Sequence, residues 1–467
     1  MYILTLPTAC GILPGQSAQD SATTTAFGVF GLPNAIGQTR EQKMLKATEV
    51  FTPGAFPSHT YIERTAEGLE RALRDALDTP GQIVSLIGPS KSGKTVLVEK
   101  VVGQDLLITV TGAGIGSPDD IWSRVLDWME APTSRERHSS STGTVSAEAG
   151  GSGSIGLPIV GKIEADGKLG TEVGHERGKS LTYGRTGLTQ VVKDIANSDY
   201  VVLVDDFHYM PRDVQAEAAK SLKEAVRLGV KVCTAAVVHR GDDLVRANPE
   251  LRGRVRALDL KYWAPSDLKK IATSGFSEMR LSVNDDAIEK LAEEAAGSPQ
   301  LMQLLCLHTC FVMDARRQGL LNRDITISDD KMRVIFEQVS TATDFRSLVD
   351  VLDSGPKTRG IERKLYKFSD GTDGDVYRAV LKAVASDPPR LSFAYEELLA
   401  RTAATSIGDS PVGSSVTGTC LQLMRLALDK FPNERAIDWD EQKQILDIPD
   451  PYLLFYLRWS GRLTESE

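Results

Sequence analysis

Eight consecutive residues, Gly88-Pro89-Ser90-Lys91-Ser92-Gly93-Lys94-Thr95, fit the pattern G-x-x-x-x-G-K-[ST] without a mismatch. The chemistry such a run serves is the holding of a polyphosphate. Its glycines let successive backbone N–H groups turn toward one anion, with Val96 and the rest of a helix behind them. Lys94 is the candidate to reach the outer phosphates, and the Thr95 hydroxyl is the candidate ligand for Mg²⁺. A second run, Tyr200-Val201-Val202-Leu203-Val204-Asp205-Asp206, is apolar and β-branched and ends in two carboxylates. At the C-terminal end of a strand, Asp205 is placed to hold the metal, directly or through water. Asp206 is placed to orient or deprotonate an attacking water.

These groups need elements to position them. Residues 82–87 (QIVSLI) read as a strand and 95–102 (TVLVEKVV) as a helix, so strand, loop and helix follow in the order the phosphate site requires. The strand carrying Asp205 is expected directly beside the phosphate-loop strand. Further strands are expected at 106–111, 230–238 and 257–260, with helices at 40–50, 61–77, 117–130, 186–196 and 214–227. His239, at the end of the 230–238 strand, is a candidate sensor of a terminal phosphate. Arg252 and Arg254 lie in the turn before the 257–260 strand and are candidates for an arginine finger reaching a neighbouring subunit's site. A solvated basic turn is the competing reading.

The chain of 467 residues has room for two or three domains, and its 41% hydrophobic and 25% charged content is that of an ordinary globular protein. A net charge of −9 argues against non-specific binding of polyanions. No apolar run reaches the ~18–20 residues that cross a bilayer. The N-terminus lacks a basic start before an apolar core. Five scattered cysteines read as reduced thiols, which points to the cytoplasm. Cys306 and Cys310 share a helix face, but His308 points off it and no fourth ligand is near, so these residues read as core.

Composition divides the chain into a flexible arm (1–50), a nucleotide-binding α/β domain (51–262), a helical lid (263–345) and a last domain (355–467). An insertion at 132–183 interrupts the second of these. It is Ser/Gly-rich at 139–153 and carries a hairpin signal at Asp166-Gly167. It reads either as a surface loop or as a contact element for a neighbouring subunit. Three helices are expected in the lid at 266–274, 284–296 and 298–317, with Gly297-Ser298-Pro299 as a stop and restart. In the last domain, helices at 375–385, 395–404 and 416–428 and a hairpin at 436–439 and 444–448 follow the order of a winged helix. Asp450-Pro451-Tyr452-Leu453-Leu454-Phe455-Tyr456-Leu457-Arg458-Trp459 closes the chain as an aromatic-rich segment packed on the body.

Over residues 51–339 these features resemble the AAA+ ATPases, and GPSKSGKT and VVLVDDF carry the likeness. The Asp205-Asp206 pair and the appended winged helix are similar to the STAND branch. The closing DPYLLFYLRW is similar to the end of the archaeal-type ATPase family. The resemblance implies an α/β P-loop NTPase fold with a parallel sheet, a helical lid and a winged helix, taking ATP and Mg²⁺. It implies a low-turnover ATPase that acts as a switch and forms a homo-oligomer. No repeat is visible after the winged helix, so an effector or sensor is expected on a separate polypeptide. Bacterial relatives suggest stress or antiviral responses. Gln300 stands where many AAA+ proteins have a phosphate-sensing arginine, and it offers only a neutral hydrogen bond.

Two other functions fit the same motifs. One is a DNA-handling ATPase of the initiator or transposition-regulator type, with the winged helix as its reader. Against it, residues 355–467 carry a slight acidic excess, and Arg425 is the only cation of the 416–428 helix. Arg359, Arg363, Lys364 and Lys367 form a small basic cluster nearby. The other is a non-hydrolysing nucleotide sensor, because Asp206 is one methylene shorter than a glutamate.

Overall fold

The computed structural model describes residues 44–64, 67–130, 134–137, 181–184, 187–237, 243–357, 360, 362–431 and 436–464. Most of the expected arm, most of the insertion with its Asp166-Gly167 hairpin, and His239 lie outside these residues. Residues 44–467 form one compact unit.

Seven strands are described before residue 260: β1 (Ile83–Ile87), β2 (Leu107–Thr111), β3 (Ser134–Arg137), β4 (Leu181–Gly184), β5 (Val201–Asp205), β6 (Lys231–Ala236) and β7 (Val255–Asp259). β3 and β4 pair antiparallel at the two ends of the insertion. The other five form a parallel sheet in the order β2-β5-β6-β1-β7. The strand of Asp205 is therefore not beside the phosphate-loop strand, as the sequence suggested. β6 stands between them. The reason is burial: β5, β6 and β1 are buried on both faces and take the centre, while the half-exposed β2 and β7 take the edges.

The strands' alternating side chains feed two cores. Ile83, Ile108, Val202, Val204 and Val232 face α4 (Pro118–Trp128), α5 (Gly187–Ile195) and α6 (Arg212–Arg227). On the opposite face, Val84, Leu86, Val201, Leu203 and Cys233 meet α2 (Leu69–Leu77) and α3 (Lys94–Val102). The helix expected over 61–77 starts only at Leu69, because Gly68 sits at φ +60°, and residues 61–64 form no regular element. Of the helix expected over 40–50, the described residues contain α1 (Ala47–Val50).

The chain leaves β7 for a helical lid of α8 (Pro265–Glu278), α9 (Asp285–Glu294), α10 (Pro299–Val312) and α11 (Asp329–Thr341). Two short strands that the periodicity did not signal, Leu281–Val283 and Arg323–Ile325, pair in parallel beside these helices. The stop and restart between α9 and α10 is as expected. Gly297 turns at φ +80°, and Ser298 caps α10 by accepting from the Leu301 N–H at 3.2 Å. α1 and Phe51 pack into the core of this lid.

Beyond α12 (Arg346–Ser354), three helices, α13 (Val376–Ala385), α14 (Tyr395–Thr405) and α15 (Gly413–Lys430), pack with an antiparallel sheet of strands 392–394, 445–447 and 438–440. This is the expected winged helix, with its hairpin in place. A second small sheet, made by strands 366–368, 373–374 and 406–407, was not signalled by the sequence pattern. α16 (Pro451–Trp459) ends the described fold and contributes to the cores of both the lid and the winged helix.

Gly275 on α8 marks the tightest approach in the lid. A Cβ there would fall 2.2 Å from Cε1 of Phe51, whose ring lies edge-on to Phe276 at 5.3 Å. Gly275→Ala is therefore expected to destabilise the protein by about 1–3 kcal/mol through overpacking. Urea unfolding measures this, and adding Phe51→Leu is expected to restore part of the loss.

Candidate functional site

The phosphate loop lies at the C-terminal end of β1 and turns into α3. Gly93 adopts φ +92° and Lys91 φ +59°, so two left-handed residues bend the loop over the start of the helix. Gly88 is held close to the last sheet strand's exit. Its N–H bonds to Ala236 O at 3.2 Å, and a Cβ on it would meet Leu260 Cβ at 2.8 Å.

Lys94 is 9% exposed, and its Nζ donates to the carbonyls of Gly88 (3.1 Å) and Pro89 (2.8 Å). Burial lowers its pKa, and the carboxylates of Asp205 and Asp206 oppose that shift. Thr95 Oγ1 donates to Asp205 Oδ2 at 2.6 Å. The other oxygen, Oδ1, accepts from the Asp206 N–H at 2.9 Å. Both carboxylate oxygens are thereby oriented.

Asp206 follows in the left-handed region at φ +54°. Burial raises the pKa of its carboxyl, the Asp205 charge raises it further, and Lys94 opposes both. The loop after β2 supports this turn. Gly112 N donates to Asp205 O at 2.7 Å, and a Cβ on Gly112 would fall 2.4 Å from Asp206 O. Sequence reading passed over Gly112, whose one signal was a glycine directly after a β-branched strand.

A cavity of about 550 Å³ opens in front of these groups, between the α/β domain and the lid. Ser90, Lys91, Ser92, Gly93, Lys94, Thr95 and Val96 line it, together with Asp205 and Asp206. Gln300 lines the lid side, where the sequence placed it, beside Trp263, Pro299 and Gln303. Gln303 is buried and ties this wall to the segment before α2. It donates to Thr60 Oγ1 at 2.6 Å and accepts from the Thr52 N–H at 3.2 Å. Trp263 Nε1 donates to Ser92 O at 3.0 Å.

The donor set fits a triphosphate with its magnesium. Ser92 Oγ is buried with no hydrogen-bond partner, and the Lys94 ammonium rests on loop carbonyls, so both are available to an anion in the loop. Thr95 and Asp205 offer two oxygen ligands of the hard type magnesium takes. A larger cleft of about 690 Å³ lies between α9 and the winged helix and contains none of these groups.

Not every candidate comes to this cavity. Arg252 and Arg254 are exposed at the opposite end of the sheet, where Arg254 O accepts from the first residue of β1, Ile83, at 2.8 Å. His239 lies outside the described residues. Cys306 and Cys310 are buried in the lid, while His308 Nδ1 lies 3.5 Å from Gln338 Oε1. Among the described residues no cluster of three His, Cys, Asp or Glu is placed to hold a metal, and no helix is long and apolar enough to cross a membrane.

A parallel sheet with the phosphate loop after one strand and a carboxylate pair after another, a helical lid and a winged helix define the P-loop NTPase fold. No protein-family model matches the chain, and no curated protein matches its sequence. Among solved structures it is similar to the Walker-type ATPase PABY2304 of Pyrococcus abyssi, at 15% identity and a TM-score of 0.44, over 84% of this chain and 95% of that one. It is also similar to the Aeropyrum pernix ORC2 protein, at 12% identity and a TM-score of 0.46, over 90% and 100% of the two chains. The Thermotoga maritima RuvB Holliday junction branch migration motor matches at 13% identity and a TM-score of 0.37, over 83% and 92%. At such scores these likenesses assign no residue a role.

The contact between Gly112 and Asp206 sets an expectation. Gly112→Ala is expected to displace the Asp206 turn and lower phosphate release from ATP by about 10–100-fold. Nucleotide affinity, measured by equilibrium titration, is expected to stay near the parent value.

Proposed function

We propose that the chain is an ATP-binding, slowly hydrolysing molecular switch of the AAA+/STAND-like kind. Its nucleotide state is coupled to oligomerisation or to signalling with a separately encoded partner, and a role in bacterial stress or antiviral responses is the biological setting this reading favours. The observation that carries it is the 2.6 Å hydrogen bond between Thr95 and Asp205, which joins two motifs 110 residues apart beside a buried Lys94.

In this reading the first amides of α3, Lys94 and Ser92 hold the phosphates. Thr95 and Asp205 hold the magnesium. When bound, the ion neutralises charge on the phosphate oxygens and orients them for in-line attack. Asp206 accepts the proton of the attacking water, and its raised pKa suits a base buried next to another carboxylate. Gln300 contributes a neutral contact from the lid. Arg252 and Arg254, remote from their own cavity, act only across a subunit interface, if the protein assembles in that way.

A DNA-handling ATPase is the second reading, and the winged helix gives it little support. The exposed residues of α15 include Ser414, Gly418, Arg425, Asp429 and Lys430, a sparse set for phosphate contacts. Of the nearby basic cluster, Arg363 is paired with Asp375 and Lys364 with Asp409.

Calorimetry and phosphate-release assays test the switch. The parent protein is expected to take up ATP in a magnesium-dependent manner and to hydrolyse it slowly. Lys94→Ala is expected to lose both activities. Asp206→Asn is expected to keep ATP binding and lose hydrolysis by about 10²–10⁴-fold. Hydrolysis by Asp206→Asn at the parent rate would remove that residue from the mechanism, and chelation of magnesium without effect would remove Thr95 and Asp205 as ligands.

A further inference from the structure

α16 belongs to two bodies at once. Tyr452 and Phe455 lie in the lid core, while Leu453, Leu454 and Leu457 lie in the winged-helix core. Phe336 of α11 meets the Phe455 ring at 5.7 Å and the Trp459 ring at 4.6 Å. Near the end of α16, Arg458 donates to Glu294 of the lid at 2.9 and 2.7 Å, with both side chains 6% exposed. Trp459 Nε1 donates to the same carboxylate at 2.8 Å, and Arg458 Nη1 also donates to Ala385 O of α13 at 2.6 Å. Lifting the winged helix from the lid would expose these rings and strand a buried charge.

The α/β domain is joined to this pair in a different way. The lid core contains none of residues 69–260. The chain crosses between the bodies at 61–64 and again at 260–264. Arg64 ties the crossings together, donating to Lys261 O at 3.2 Å with its guanidinium 5.2 Å from the Trp263 ring. The contacts on the phosphate loop are polar and few. Trp263 and Ser298 bond to loop carbonyls, the latter at 3.5 Å to Lys91 O. The third contact comes from the winged-helix side: Lys91 Nζ lies 3.0 and 2.8 Å from the two carboxylate oxygens of Asp450 and 4.1 Å from the Tyr452 ring. Asp450 is also the N-cap of α16, accepting from the Tyr452 N–H at 2.9 Å, so the helix fixes its place.

Resting on the nucleotide reading of the cavity, we propose that lid and winged helix swing as one rigid body on the two crossing segments. Asp450 is the catch that holds this body on the phosphate loop, competing with the triphosphate for Lys91. The moving joint thus lies between the α/β domain and the lid, while the joint between lid and winged helix stays closed. An anionic ligand in the loop draws Lys91 away from Asp450 and loosens the catch.

Spin-label distances and nucleotide release test both halves. Cysteines replace the exposed Glu217 (α6), Glu337 (α11) and Glu396 (α14) in pairs, in a Cys10→Ser background where the other native cysteines are buried. The Glu337–Glu396 distance is expected to be the same with and without a slowly hydrolysed ATP analogue, while Glu217–Glu396 shifts. Asp450→Asn keeps the helix cap but removes the charge. It is expected to shift Glu217–Glu396 without nucleotide and, with Lys91 freed for the phosphates, to release a fluorescent ATP analogue several-fold more slowly. The swap Lys91→Asp with Asp450→Lys is expected to restore the parent's nucleotide-free distance. A nucleotide-dependent change in Glu337–Glu396, or an Asp450→Asn variant with the parent's distance and release rate, overturns the proposal. If the parent takes up no ATP, the nucleotide reading fails by itself. The distances of nucleotide-free Asp450→Asn then still decide whether the catch exists.

Discussion

The hydrogen bond from Thr95 to Asp205 is the constraint around which the α/β domain is arranged. Its donor follows β1 and its acceptor ends β5, and β6 lies between them. Strands are spaced by roughly 4.8 Å, so the two residues must meet across about 10 Å of sheet edge. That bridge needs a low rim, and β6 ends in Ala235 and Ala236, whose small side chains provide one. Gly88 completes the arrangement by bonding to Ala236 O, which draws the phosphate loop over the end of β6. A bulky residue at the end of β6 would separate the lysine and threonine from the carboxylates even with both motifs intact.

Much of this was legible in the sequence, for identifiable reasons. GPSKSGKT and VVLVDD are local patterns, and the folded chain brings Lys94, Thr95, Asp205 and Asp206 to one cavity. The position of β6 was not legible, because apolar periodicity marks a strand without saying which neighbour it takes. The start of α2 was misread for a different reason: residues 61–77 carry apolar residues at helical spacing, but Gly68 at φ +60° breaks the backbone where the side-chain pattern continues. The short strands at 281–283 and 323–325 are too brief to show a period of two.

The contacts that join the domains were hidden for a further reason. Lys91 and Asp450 are 359 residues apart, and nothing local to either announces the other. Asp450-Pro451 does carry a local signal, a capping side chain followed by proline at the first helical position, and it marks the start of α16. What that cap also touches is a property of the folded chain. The aromatic run after it was expected to pack on the body. That it serves two cores follows from helical spacing, which puts Tyr452 and Phe455 on the face in the lid core and Leu453, Leu454 and Leu457 on the face in the winged-helix core.

The chemical character of each interface determines how it responds to a charged ligand. Between lid and winged helix the contact is aromatic and aliphatic around the buried Arg458–Glu294 pair, and neither residue lines the phosphate-loop cavity. Burial of this kind is non-directional and scales with area, so it resists small displacements of charge elsewhere. The contact on the loop consists of an ammonium shared with a carboxylate that is about a quarter exposed and of hydrogen bonds to two carbonyls. Such contacts are worth little in water, and a second anion at the same ammonium competes with the carboxylate for it and repels that carboxylate. On the proposed nucleotide reading, electrostatic work done by a bound triphosphate would be delivered to the polar joint, and the apolar joint would carry the resulting motion as a rigid connection.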